Sequence, residues 1–342
     1  MRLAASTSAI ESSASILRSN HLGICTYSYG IHWRAAREGN SSARFKDVLG
    51  LLDHCKKIGA GGVQVGLTKQ DSDYARLVRA KSEAHALFYE GLISLPKDDS
   101  DLSRFEKEIA LLKEAGATVI RTACLSGRRY ETFDSTEAFK DFERKSWNSL
   151  TLAEPVMQKQ RCRLAVENHK DWTAEELVAR LKRLGSEWIG ACVDIGNNIA
   201  LLEDPTTVVE TLAPHAFTTH IKDMGVVECP EGFLLAEVPL GSGFLELPKL
   251  ASRLMKANPK IRFNLEMITR DPLLIPCLTD NYWATFPSAR ASQLAVAVRM
   301  VKVHRHLEPL PRTAGLNLEQ QLAMEENNVL KSLSYWKKSV SG

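Results

Sequence analysis

The sequence predicts an α/β protein: one (β/α)8 TIM barrel with a C-terminal helical extension. Two observations carry this expectation. Short apolar runs alternate with amphipathic stretches eight times between residues 21 and 310, and strand–helix units in that number close into a barrel. The turn after the first strand reads Thr26-Tyr27-Ser28-Tyr29-Gly30. It is not the glycine-rich phosphate turn of a doubly wound open sheet.

The expected strands are 21–26, 62–66, 86–93, 118–124, 163–167, 189–194, 217–221 and 262–267. Each is a short apolar run bounded by turn residues. Helical spacing marks 45–58, where Val48, Leu51, Leu52 and Cys55 share a face, and 102–115, where Phe105, Ile109 and Leu112 recur. Further helices are expected at 136–160, 173–184, 206–212 and 247–256. Glycine follows Ile58, Ala115 and Leu184, where a helix end needs a left-handed residue. Asp101 and Thr173 suit N-caps, and Glu176 three residues after Thr173 completes a capping box.

The ends are different. Residues 1–20 are rich in Ser and Ala and lack the apolar centre of a secretory signal, so they read as a tail outside the fold. Beyond the barrel at 21–310, the segment 311–342 opens near Pro311. Polar helices are expected over 317–338, packed on the barrel or against another subunit.

Composition narrows the function. Of 342 residues, 44 are Lys or Arg and 41 Asp or Glu, a formal net charge of +3. So small a balance gives no electrostatic case for nucleic acid or an anionic membrane. No apolar run approaches the roughly 20 residues that span a bilayer. Seven scattered cysteines without a CxxC pair suggest reduced thiols and a cytoplasmic protein.

The informative residues end the last four strands. Strand five closes on Glu167-Asn168-His169, strand six on Asp194-Ile195-Gly196-Asn197, strand seven on His220-Ile221-Lys222-Asp223 and strand eight on Glu266-Met267. Alternation places Ala165, Glu167 and His169 toward the barrel axis, with Leu164 and Val166 outward. By the same rule Thr218, His220 and Lys222 face inward, and Phe217, Thr219 and Ile221 outward. Asn264 and Glu266 face inward too. Glu167, Asp194, His220 and Glu266 therefore converge at the C-terminal mouth, where barrel enzymes hold their chemistry. Three carboxylates there need a compensating cation. Three oxygen donors and one imidazole suit Mn²⁺ best, then Mg²⁺ or Co²⁺. Zn²⁺ comes last because no thiolate is implicated.

The runs AVENHKDW, CVDIGN, THIKDM and FNLEM, in that order, resemble the xylose isomerase-like barrel superfamily of sugar isomerases and epimerases. The resemblance covers roughly residues 22–305. It implies one Mn²⁺-like ion on Glu167, Asp194, His220 and Glu266, with Glu167 and Glu266 also acting as the catalytic acid/base pair. Two positions depart from the pattern: Asn197 stands where the epimerases carry a histidine, and Lys222-Asp223 where an arginine often follows.

With such a site, an α-proton leaves to one glutamate and an enediolate forms. Proton return gives epimerisation or isomerisation; loss of a β-hydroxyl gives a dehydratase or lyase product. The expected function is a metal-dependent sugar or polyol isomerase/epimerase. The alternative is a lyase on a keto-sugar, keto-inositol or dehydroshikimate-like substrate, which the N–H donors at His169 and Lys222 favour. A nuclease reading lacks the extra histidines and a basic face.

Around these lie candidate substrate contacts. His169 and Lys222 point at the pocket or form its solvated rim, and Asn197 and Arg270 lie near it. Tyr27 and Trp33, beside Tyr29 and His32, offer either an aromatic platform for a sugar or packing under a loop. Glu90 and Arg121 are expected to pair internally. The glycines of the 237–243 segment suit a tight loop near the metal. The expected partner is a small sugar or polyol, and a homo-oligomer is compatible with the sequence.

Overall fold

The computed structural model describes residues 21–68, 70–286 and 291–340, so the expected tail lies outside the described residues. Eight strands build the barrel: β1 (Leu22–Cys25), β2 (Gly62–Gln64), β3 (Phe88–Leu92), β4 (Val119–Thr122), β5 (Arg163–Glu167), β6 (Ile189–Asp194), β7 (Ala216–Ile221) and β10 (Phe263–Leu265). They are parallel and close in the order β1, β10, β7, β6, β5, β4, β3, β2. Each coincides with an expected strand. The ends differ where a helix cap intrudes: Ala86 takes φ 55° to end the helix Ser72–His85, so β3 begins only at Phe88.

That helix is absent from the sequence-based expectation. Its buried face is Ala75, Val78 and Ser82, too small and too polar to give an apolar stripe. Thr173 and Glu176 form the expected capping box. Asp101 does not cap with its side chain; it takes Arg104 Nε at 2.7 Å instead.

The structure corrects the expectation for β7 and for the segment after it. Phe217, expected to face the helices, packs against Val119, Ala165 and Cys192 inside the barrel. A β-bulge opposite the Ala191–Cys192 step gives β7 one extra residue there, which shifts the alternation locally. Past the bulge, Cys192 pairs with Thr218 and Asp194 with His220, so His220 keeps its inward phase. The chain then makes an antiparallel hairpin, β8 (Asp223–Cys229) and β9 (Gly232–Val238), joined by β11 (Leu273–Ile275). The glycine segment after β9 cradles a side chain: Gly241 and Gly243 N–H groups each donate to Asp223 Oδ2 at 2.9 Å.

The C-terminal helix Leu318–Ser339 starts on a capping box of Asn317 and Gln320. Of its two expected placements, the structure gives the barrel's own surface. Trp336 meets Phe263 with ring centroids 5.0 Å apart. Glu325, 1% exposed, accepts the backbone N–H groups of Ile31 and His32. No helix of the described residues is long and apolar enough to cross a membrane.

Candidate active site at the barrel mouth

Glu167 and Asp194 are the last residues of β5 and β6, His220 lies near the end of β7, and Glu266 follows β10 directly. All four are buried, at 3% exposure or less. One donor atom from each lies within 4.8 Å of the others. The centre of the group is His220 Nδ1, which lies 3.3 Å from Glu167 Oε2, 3.3 Å from Glu266 Oε1 and 3.8 Å from Asp194 Oδ2.

Each carboxylate shows one oxygen to that point and has the other tied down. Glu167 Oε1 accepts from Asn197 Nδ2 at 2.9 Å. Asp194 Oδ1 accepts the N–H groups of Gly196 and Asn197. Glu266 Oε2 accepts from Lys222 Nζ at 2.5 Å. His220 is fixed from behind, its Nε2 2.7 Å from Gln64 Oε1. Because Gln64 Nε2 in turn donates to Glu90 Oε2, the network puts one imidazole proton on Nε2. The carboxylates of Glu266 and Glu167 beside Nδ1 outweigh burial and raise the imidazole well above its ordinary range, so before any ion is bound it is protonated. Glu90 also accepts from Thr218 and Asn264. The pair expected between Glu90 and Arg121 does not form.

Two resident cations enter the group. Arg121 Nε donates to Glu167 Oε2 at 2.5 Å. Lys222, expected either to point at the pocket or to form its rim, is wholly buried: its Nζ lies 2.7 Å from Asp194 Oδ2 in addition to its bond with Glu266. Burial alone would raise the Glu167 carboxyl, but the Arg121 guanidinium outweighs it and holds the group well below the carboxylate range. For Glu266 burial is likewise outweighed, here by His220 and Lys222. Both glutamates stay ionised.

These residues also fit a divalent ion. His220 Nδ1 is buried without a hydrogen-bond partner, as is Asp194 Oδ2, whose ion pair with Lys222 lacks hydrogen-bond angles. Orphaned buried atoms of this kind need an explanation, and three carboxylate oxygens with one imidazole nitrogen form a ligand set for Mn²⁺ or Mg²⁺.

Beside the group a cavity of about 360 Å³ is lined by Tyr27, Arg121, His169, Glu266 and Arg270. Of the expected substrate contacts, Tyr27, His169 and Arg270 therefore border the site. Arg121 lies 5.5 Å over the Tyr27 ring, and Glu237 on β9 holds Arg270 at 2.6 and 3.2 Å. Burial pushes the His169 imidazole down to about 4, so it is neutral. Trp33 is not among the lining residues; it packs edge-on against Phe45, centroids 4.8 Å apart. His32 and Tyr29 are engaged in packing too, with Glu325 and His54 respectively. Asn197 holds Glu167. A larger cavity, about 430 Å³ beside Glu203 and Trp283, includes none of the expected site residues.

Sequence reasoning passed over Gln64, Lys170, Glu237, Cys25 and Cys192. Gln64 ends β2, so the inward phase used for the last four strands would have found it.

The family model described as a xylose isomerase-like TIM barrel matches residues 52–292. YihM of Escherichia coli (strain K12) is 27% identical over 146 residues, 43% of this chain and 44% of that protein, so this match spans less than half of the relative's length. The 3-oxo-isoapionate decarboxylase of Pectobacterium atrosepticum is 25% identical over 244 residues, 67% of this chain and 78% of that protein. A D-psicose 3-epimerase structure, determined in the presence of D-fructose, superposes with a TM-score of 0.60 at 14% identity, covering 94% of this chain and all of that one. That likeness is one of fold.

Proposed function

Because this chain belongs to the xylose isomerase-like TIM barrel family, we propose that it is a lyase that cleaves a small 3-oxo sugar acid by decarboxylation at the barrel mouth. The observation that carries the reading is the pairing of both glutamates with cations, Arg121 on Glu167 and Lys222 on Glu266. A carboxylate so held is a weak base. Epimerisation and isomerisation begin with a base removing a C–H proton; decarboxylation needs only an electron sink and, afterwards, a proton donor.

The ligands of a divalent ion would be Glu167, Asp194, His220 and Glu266, and the ion would supply positive charge where the substrate's 3-oxo oxygen becomes negative. The protein's own residues do the rest. Arg270, aligned by Glu237, gives the cavity wall a cation for the substrate carboxylate. Neutral His169 and the Tyr27 hydroxyl offer hydrogen bonds to sugar oxygens. The bond from C2 to the carboxyl carbon breaks, CO₂ leaves, and its electron pair passes into an enolate. Water entering the cavity supplies the proton that C2 takes up, while Lys222 stays protonated beside Glu266. Support comes also from the decarboxylase relative, at its modest identity.

The second reading is a ketose epimerase. Glu167 Oε2 and Glu266 Oε1 lie at equal distances, 3.3 Å, from His220 Nδ1, which favours a two-glutamate relay. One experiment separates the two. The protein loaded with Mn²⁺ is given a panel of 3-oxo sugar acids and free ketoses in D₂O. Release of CO₂ with one deuterium at C2 of the product supports the lyase; deuterium exchange at C3 of a ketose without CO₂ overturns it in favour of the epimerase.

A further inference from the structure

The wall around His220 carries two thiols that the proposed reaction leaves idle. Cys25 ends β1, and Cys192 stands two residues before Asp194 on β6; both are fully buried. Donor atoms of Cys25, His220 and Glu266 lie within 4.8 Å of one another, and so do those of Glu167, Cys192 and His220. Strand register produces this arrangement. Cys192 is opposite Glu167 in the β5–β6 ladder, and Cys25 is opposite Gln64, which holds the far side of the His220 ring.

A buried cysteine commonly serves as a small hydrophobe. These two differ in their company: each shares donor distance with an imidazole and a carboxylate. A thiol must shed its proton to become a ligand. A coordinating cation of borderline or soft character removes that proton outright. Such ions prefer sulfur, whereas Mn²⁺ and Mg²⁺ prefer oxygen.

We propose that Cys25 and Cys192 form a sulfur floor to the metal site, so that Zn²⁺, Co²⁺ or Cd²⁺ is bound with thiolate in its ligand set while Mn²⁺ and Mg²⁺ remain on the carboxylates and His220. This rests on the proposed assignment of Glu167, Asp194, His220 and Glu266 as metal ligands. Binding forms a metal–sulfur bond and releases the thiol proton to solvent, with no change of oxidation state. It also reverses the sequence argument that set Zn²⁺ last for want of a thiolate.

The full chain, freed of metal under reducing conditions, is titrated with Co²⁺ and, separately, with Mn²⁺. Co²⁺ should bring up a thiolate-to-metal charge-transfer band in the near ultraviolet. The band should be lost in Cys25→Ser/Cys192→Ser, whose Mn²⁺ binding, read by electron paramagnetic resonance, should match the unaltered protein's. Co²⁺ bound without the band in the unaltered protein overturns the sulfur floor and leaves the four-ligand site standing. Failure of both ions to bind overturns both. If the double variant does not fold, the unaltered protein decides: X-ray absorption of its bound Co²⁺ showing a cobalt–sulfur shell supports the proposal, and a shell of oxygen and nitrogen alone refutes it.

Discussion

Lys222 Nζ donates to Glu266 Oε2 across 2.5 Å, with both side chains buried. The carboxylate that shows one oxygen to His220 thus gives its other oxygen to an ammonium. Burial works against the Lys222 charge, but Asp194 and Glu266 outweigh it and keep the amine protonated. The site therefore contains part of the positive charge that its carboxylates demand, before any ion is bound.

Removing that charge should be costly. Lys222→Met leaves Asp194 and Glu266 buried and undercompensated, and breaking such a pair costs about 3–5 kcal/mol. Urea unfolding in the presence of a chelator should show a loss of that size. Saturating Mn²⁺ should then restore more stability to the variant than it adds to the unaltered protein. A variant as stable as its parent without metal would refute the pairing.

Glu266→Gln keeps a side-chain oxygen toward His220 but loses the negative charge that pairs with Lys222 and would help hold the ion at the substrate's oxygen. Turnover should fall by about 10²–10³-fold, with Mn²⁺ still bound. Full turnover with metal bound would remove Glu266 from the mechanism.

Lys170 supplies a pH test. It is 3% exposed, its ammonium donates to Asn197 Oδ1, and burial, then Lys222, lower it from 10.5 to about 8. Glu237, Arg270 and Asp194 also act on it. Between pH 8 and 10.5 the unfolded chain holds a proton that the folded one has shed, so stability rises with pH across that window, by roughly 3 kcal/mol in all. In Lys170→Met this contribution to the slope should vanish. Equal slopes in urea titrations of the two proteins from pH 7.5 to 10 would count against it.

The C-terminal helix is anchored by one buried carboxylate. Glu325 accepts two backbone N–H groups, and its Oε2 lies 2.7 Å from His32 Nδ1. Glu325→Ala should destabilise the protein by roughly 3 kcal/mol, since it strands buried donors. A change in melting free energy below about 0.5 kcal/mol, the level of an ordinary surface substitution, would show the anchor to be idle.

Much of this site was legible beforehand, and the reason is periodicity. A strand's side chains alternate in sign, so each strand end declares its inward residue locally, and Glu167, Asp194, His220 and Glu266 could be read one strand at a time. Phe217 marks where that reasoning broke, because a bulge adds a residue that no alternation rule anticipates. Lys222 was given the inward face, with its surroundings left open between pocket and rim: its phase is local, but the carboxylates of Asp194 and Glu266 that it meets come from other strands.

The chain's own order of residues thus determined the barrel, its strand ends and the four donors that face inward. Folding in three dimensions decided the partners: Arg121 with Glu167 rather than Glu90, Gln64 behind His220 from 156 residues away, and two cysteines beside the imidazole. Periodicity acts between neighbours along the chain. Ion pairs and ligand sets act across the barrel, where closure of the sheet alone sets which side chains meet.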